Sequence, residues 1–278
     1  MDLWIPITIA AAFSQNLRSA LQKRLTGVLT TWGATAARFV FAAPFAIALA
    51  LAVTLLGDGG LPRANAAFVA YGATGGVAQI IATGLLIHLF SYQSFSAATA
   101  YTKTEPIQTA LFGIVLLGDA LSAEITIAIL VSLVGVLLIA VPPDRVRHGG
   151  WFGRPALIGI VSGGLFGLSA VAYRGASLSL ETGDPFFRAS ITLAFVTILQ
   201  SAIILTWLKV REPGQAGLLF RQWRLAGWVG IVGMLGSLAW FTAFTLQNAA
   251  YVRALGQIEV LFMLGASILF FKERVTTR

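Results

Sequence analysis

Four ionisable side chains stand inside otherwise apolar stretches of the sequence: Lys103 and Glu105 in "AYTKTEPIQTALFG", and Arg253 and Glu259 in "AAYVRALGQIEVLFML". A charge near the middle of a bilayer costs roughly 2.5–3.5 kcal/mol on insertion scales, so such a group normally faces a cavity or a partner. Lys103 and Glu105 are two apart on a helix, point to different faces and cannot simply neutralise each other. Two readings follow. In one, Lys103 holds a substrate carboxylate while Glu105 or Glu259 meets an amine or a proton. In the other, Lys103 and Glu259 form a structural ion pair between neighbouring helices. Arg253 is expected at the outer interface.

Uncharged polar and aromatic residues extend the set, because an amphipathic solute needs apolar walls and a few oriented hydrogen bonds. Gln79, Tyr101, Trp240, Tyr251 and Gln257 join Lys103 as candidate substrate-binding residues; for the aromatics, packing between helices or a place in the interfacial belt is the competing reading. Glu105, Glu259 and His88 are the candidates for coupling or gating. His88, near the end of its apolar run, is either a proton-sensitive gate or a hydrogen-bonded structural histidine. Arg38 and Arg188 read as fixing loops or lipid headgroups. With no cysteine and only two histidines, His88 and His148, the chain offers neither a thiolate site nor a metal cluster, and no cofactor is expected.

The elements that must position these residues are transmembrane helices. Hydrophobic residues make up 57% of the 278 and charged ones 11%, with a mean hydropathy of +0.84. A soluble domain carries about 25% charged residues, so the bilayer is the solvent here. Nine apolar runs are long enough to cross it, at about 3–21, 31–56, 65–90, 93–117, 125–141, 155–178, 185–207, 225–246 and 249–271. The first lacks the basic start and small-residue cleavage site of a removed signal. The net charge of +8 is scattered between the runs and forms no basic stripe, which argues against nucleic acid. Lys23, Arg24, Arg145, Arg147, Arg154, Lys209, Arg211, Arg221, Arg224, Lys272, Arg274 and Arg278 fall on one side, and Arg63 and Arg174 on the other. The positive-inside rule then places the N-terminus outside a cell (inner) membrane.

A shift of 154 residues sets Glu105 on Glu259, Asp119 on Glu273, Ser122 on Thr276 and Gln93 on Gln247. Two halves of five helices each, residues 1–142 and 154–278, are expected, the second lacking its last helix. An odd number of spans per half inverts one half against the other, the plan of secondary transporters. Stripes of glycine at helical spacing, Gly72, Gly75 and Gly76, Gly159, Gly163 and Gly167, and Gly230, Gly233 and Gly236, suit close packing or the sliding of helices.

The segment "TKTEPIQTALFGIVLLGDALSAEITIAILVSLVGVLLI" at 102–139 and its echo "GQIEVLFMLGASILFFKERVTT" at 256–277 resemble the drug/metabolite transporter superfamily, in particular its EamA-type exporters. The chain is also similar to the YddG-like aromatic amino-acid exporters of that superfamily. The resemblance implies a polar or proline break in the span and an acidic residue closing it, filled here by Pro106 and Asp119 and by Glu273. Val260 stands where the first copy has Pro106, so the break is expected to be absent from the second. It further implies a central cavity lined by spans one to four and six to nine, with span five outside as scaffold. The expected function is export of small organic solutes, above all aromatic or neutral amino acids and related metabolites, by alternating access in a monomer. Non-amino-acid solutes such as nucleosides or drugs are the alternative. An intramembrane enzyme is the runner-up class, but no nucleophile–base or metal-ligand pattern accompanies the isolated acidic groups. A channel would need a repeated filter segment, which is not visible, and no GxxxxGK[ST] loop for ATP is present.

Overall fold

The computed structural model describes residues 2–57, 60, 62–91, 93, 95–140 and 153–269, which form helices and their connections with no strand among them. The helices are α1 (Trp4–Leu25), α2 (Thr31–Val40), α3 (Ala43–Leu56), α4 (Ala66–Phe90), α5 (Phe95–Tyr101), α6 (Glu105–Leu117), α7 (Ala123–Ala140), α8 (Arg154–Leu178), α9 (Pro185–Arg211), α10 (Gln215–Arg221), α11 (Trp223–Leu246), α12 (Ala249–Leu255) and α13 (Glu259–Leu269). Among the described residues six runs are long and apolar enough to cross a membrane: Thr31–Leu56, Ala66–Phe90, Arg154–Leu178, Pro185–Arg211, Trp223–Leu246 and Ala249–Ala266. Helix α1, at 22 residues, is less apolar because it buries a polar face of Thr8, Asn16, Arg18, Ser19 and Gln22. His148, Trp151, Arg145, Arg147 and the residues from Phe270 onward, including Lys272, Glu273, Arg274, Thr276 and Arg278, lie outside the described residues.

Helix starts carry the chemistry that satisfies free backbone N–H groups. Thr30 caps α2 by accepting from Gly33 N, Asn65 caps α4 by accepting from Phe68 N, and Asp184 accepts from Phe186 N and Phe187 N ahead of α9. The second apolar run is not one straight rod. Pro44 has no N–H to offer the carbonyl of Val40, and the backbone turns through Phe41 and Ala42 between α2 and α3.

Helices α4 and α8 run antiparallel, joined by Ser162 Oγ donating to Ala82 O at one end and Tyr173 Oη donating to Gly75 O further along. Helices α1 and α11 are likewise antiparallel, since Gly236 meets Ser14 and Gly233 meets Arg18. The α1–α2 turn meets the α9–α10 link, where Thr30 N donates to Gln215 Oε1 at 3.1 Å and the Thr30 hydroxyl donates to Glu212. One end of the bundle therefore gathers Lys23, Arg24, Lys209, Arg211, Arg221 and Arg224. The other end is tied by Asn65 Nδ2 donating to Ser179 O at 2.7 Å, and by Arg174 Nη1 donating to Phe244 O and Gln247 O, each at 2.7 Å. Helix α7 sits on the periphery: Ile127, Leu130, Val131 and Val134 are more than half exposed, and Ile129 is buried.

Candidate functional site

The site is built on two helices, each interrupted by one 3₁₀ turn that serves as its break. In the first, α5 gives way to a 3₁₀ turn at Thr102–Thr104 before α6 begins at Glu105; in the second, α12 gives way to a 3₁₀ turn at Gly256–Ile258 before α13 begins at Glu259. The breaks stand 154 residues apart at both edges. The expectation that the second copy would lack one is corrected, because a break does not need proline there. In the first copy Pro106 removes the N–H that would have reached the Thr102 carbonyl. In the second, the ring of Trp240 presses on Gly256, where a Cβ would lie 2.7 Å from the indole.

The two breaks bring the four intramembrane charges together in crossed pairs. Lys103 Nζ lies 2.9 Å from Glu259 Oε1, and Arg253 Nε lies 2.8 Å from Glu105 Oε1. All four residues are at least 94% buried. Each pair joins one broken helix to the other, so neither belongs to a single half of the chain. Gln15 Nε2, from α1, donates to the second oxygen of Glu259 at 2.8 Å, so that carboxylate is held on both sides. The structural ion pair of the sequence analysis is present, and the Lys103 ammonium is occupied by it. Arg253 is not interfacial: it is buried, with its guanidinium 4.3 Å from the centroid of Trp240 and 5.0 Å from that of Phe244. A cation over an aromatic face is attracted by the ring quadrupole, and Trp240 and Phe244 are themselves stacked at 5.6 Å.

The remaining candidates divide between this centre and other places. Gln257 Nε2 reaches the Lys103 carbonyl at 3.5 Å, and its Oε1 is buried without a hydrogen-bond partner, as is Trp240 Nε1. Tyr101 packs its Cβ and backbone against Gly159. Gln79 lies in a separate buried network, accepting from Tyr173 Oη at 3.1 Å and from Gln200 Nε2 at 3.0 Å. Tyr251 is remote from the breaks' interior and accepts from Ser122 N at 3.3 Å. His88 is exposed in the last turn of α4. Arg188 is half-buried at the start of α9.

Sequence reasoning missed one feature of the interior and misplaced another. Arg18 and Arg38 are each only 3% exposed. Arg38 does not serve a loop or a lipid headgroup; its Nη1 donates to Thr83 Oγ1 at 3.0 Å. Arg18 Nη2 donates to Ser19 Oγ at 3.1 Å. The signal for Arg18 was its position inside the first apolar run, which the nearby Lys23 and Arg24 obscured.

The glycine stripe of α8 supports the first break directly. Gly159 faces Tyr101, Gly163 faces the carbonyl of Thr102 and Gly167 faces Thr109. A Cβ on Gly163 would stand 2.5 Å from the Thr102 carbonyl oxygen. An open recess on α9 lined by Ala202, Ile203, Thr206, Trp207, Val210 and Arg211 involves none of the charged residues of the centre. No group of three or more metal-ligating side chains occurs among the described residues.

Comparison with known proteins adds three findings. Residues 2–141 match the model of the EamA-like transporter family. The pseudopaline exporter CntI of Pseudomonas aeruginosa is similar over 275 residues at 24% identity, covering 96% of this chain and 87% of that protein, in both strain UCBPP-PA14 and strain PAO1. A solved crystal structure shares the fold with a TM-score of 0.66 at 15% identity, covering 98% of this chain and 91% of that one.

Proposed function

This chain belongs to the EamA-like transporter family, and on that premise we propose that it exports amino acids, aromatic or neutral, and related metabolites by alternating access between two inverted halves, residues 1–142 and 154–278. It is a multi-pass membrane transporter of small organic solutes and not an enzyme. The export direction and the amino-acid cargo are the proposal; the relative named as a pseudopaline exporter supports the direction.

The observation that carries the reading is the crossed pairing of Lys103 with Glu259 and Arg253 with Glu105. A buried ion pair is weak evidence for stability, because desolvation offsets much of the attraction, and intramembrane charge marks solute and ion pathways. Here each pair spans the two broken helices, so parting the halves has to break both. A zwitterion carries the charges that can take over as the pairs separate, its ammonium on a glutamate and its carboxylate on a cation. Trp240, Phe244 and Tyr101 supply apolar walls, and Gln257, whose Oε1 is buried without a partner, supplies a hydrogen bond. The asymmetry of Lys and Arg between the two ends orients the basic end to the cytoplasm.

The test is flux of radiolabelled phenylalanine, threonine and uridine into liposomes carrying the purified protein, with and without a pH gradient. Saturable uptake of an amino acid, reduced to background by Lys103→Ala, is the expected result. Uptake of uridine alone would move the cargo to non-amino-acid metabolites.

A further inference from the structure

The charges of the described interior do not balance. Glu105 and Glu259 are answered by Arg253 and Lys103, which leaves Arg18 and Arg38 over. Neither arginine forms an ion pair among the described residues; each donates to a single hydroxyl, of Ser19 or Thr83, and the Arg38 guanidinium also lies 5.2 Å from the centroid of the Phe39 ring. A guanidinium has five N–H donors, and Arg18 Nε is buried with no acceptor. Glu259 is close enough to act electrostatically on Arg18 but is already held by Lys103 and Gln15.

The two arginines converge. Gly233 of α11 is met by both stems, a Cβ there falling 3.3 Å from Arg18 Cδ and 3.6 Å from Arg38 Cγ. Arg18 is seven residues from the C-terminal end of α1 and Arg38 seven from the start of α2, which at 1.5 Å per residue puts both about 10 Å inside the basic end of the bundle. Thr83, the partner of Arg38, is seven residues from the same end of α4. An unpaired buried cation is expensive, and two of one sign at one depth repel each other.

We infer that Arg18 and Arg38 form an anion subsite that receives the carboxylate of the transported solute from the basic end of the bundle, before the Lys103–Glu259 pair parts. This rests on the transporter reading above and deepens it. Two planar forks match a carboxylate by parallel N–H···O bonds, and Glu259 can meet an ammonium on the same solute once its pair with Lys103 parts. The solute class is therefore a small carboxylate, zwitterionic or dianionic.

The experiment reads binding separately from flux. Thermal unfolding of the purified protein in neutral detergent is followed while phenylalanine, succinate or phenylalaninamide is added, with sodium chloride at matched ionic strength as the control. The expected result is a saturable rise in Tm with phenylalanine or succinate and none with phenylalaninamide or chloride. Arg18→Gln and Arg38→Gln each abolish that rise, and together they raise the ligand-free Tm by removing two unpaired buried charges. If the Gln variants do not fold, Arg18→Lys and Arg38→Lys take their place, and a loss of about tenfold in apparent affinity is expected from the missing fork. An equal rise with phenylalaninamide or chloride, or an unchanged carboxylate response in the variants, overturns the subsite. So does a rise with cardiolipin and none with either carboxylate, which would give the pair to a lipid headgroup. Solute flux without any carboxylate response sinks the subsite and leaves the transporter standing; a carboxylate response lost in the Gln variants, without flux of any solute, does the reverse.

Discussion

Glu259 accepts from two donors on two different helices, Lys103 at 2.9 Å and Gln15 at 2.8 Å, so its neutralisation has more to undo than that of any other acidic group of the centre. Glu259→Gln leaves the Lys103 ammonium buried and unpaired, and breaking a buried pair in this way costs about 3–5 kcal/mol. The paired change Lys103→Met with Glu259→Leu removes both charges and recovers most of that loss. Unfolding midpoints of Lys103→Met, Glu259→Leu and the double variant form a cycle; a double variant as unstable as the sum of the singles rules out the coupling. The charged residues of this centre were legible in the sequence because they interrupt apolar runs, and the Lys103–Glu259 pair was one of the two readings they offered, but the partner of Arg253 was not legible. Arg253 stands one turn from the Gln247–Asn248 connection and reads as interfacial until the fold lays it over Trp240 and against Glu105. Arg38 looked like a terminal anchor for the same reason, since nearness to the end of a run says nothing about which face the side chain takes.

At the scale of the helix, what decides the centre is where each rod stops being regular. The first break could be read from Pro106, whereas the second depends on Gly256 yielding to the Trp240 ring, a contact between residues 16 apart on different helices. Pro106→Ala is accordingly expected to keep the bulk of its flux, because the turn at Thr102–Thr104 is also seated on the glycine face of α8. Gly163→Leu is expected to do the opposite. Its Cβ would stand 2.5 Å from the Thr102 carbonyl oxygen, and overpacking of this kind costs about 1–3 kcal/mol. The main effect is on the register of Lys103 and Glu105, which the displaced turn carries. Circular dichroism with flux in the same preparation separates the outcomes: helicity retained with transport lost is expected, and normal transport in Gly163→Leu would show that the break does not need its glycine seat. The glycine spacing was visible in the sequence, but not which helix each stripe would meet.

For the whole molecule, the same 154-residue shift that aligns Glu105 with Glu259 also relates helix to helix: Phe95–Tyr101 to Ala249–Leu255, and the turn Thr102–Thr104 to Gly256–Ile258. The recurrence of the charges was readable in the sequence, and so was the Lys103–Glu259 pair as one of two readings; the second 3₁₀ turn was not, because Val260 stands where the first copy has Pro106, and the crossing of Arg253 with Glu105 emerges only in the assembled bundle. Alternating access demands that the basic end and the opposite end open in turn, so a link fixed across one end has to arrest the cycle. The contact of Thr30 with Gln215 and Glu212 bridges the α1–α2 turn to the α9–α10 link at the basic end, and the absence of cysteine from the sequence makes the position addressable. Thr30→Cys with Gln215→Cys, bridged by a short bifunctional methanethiosulfonate, is expected to stop flux of phenylalanine in liposomes, and dithiothreitol is expected to restore it. Each single cysteine variant treated in the same way keeps its flux, which separates bridging from simple modification. Flux that continues through the bridged protein would mean that this end does not open during transport, and the rocking of one half against the other would have to be abandoned for a path that leaves the basic end closed.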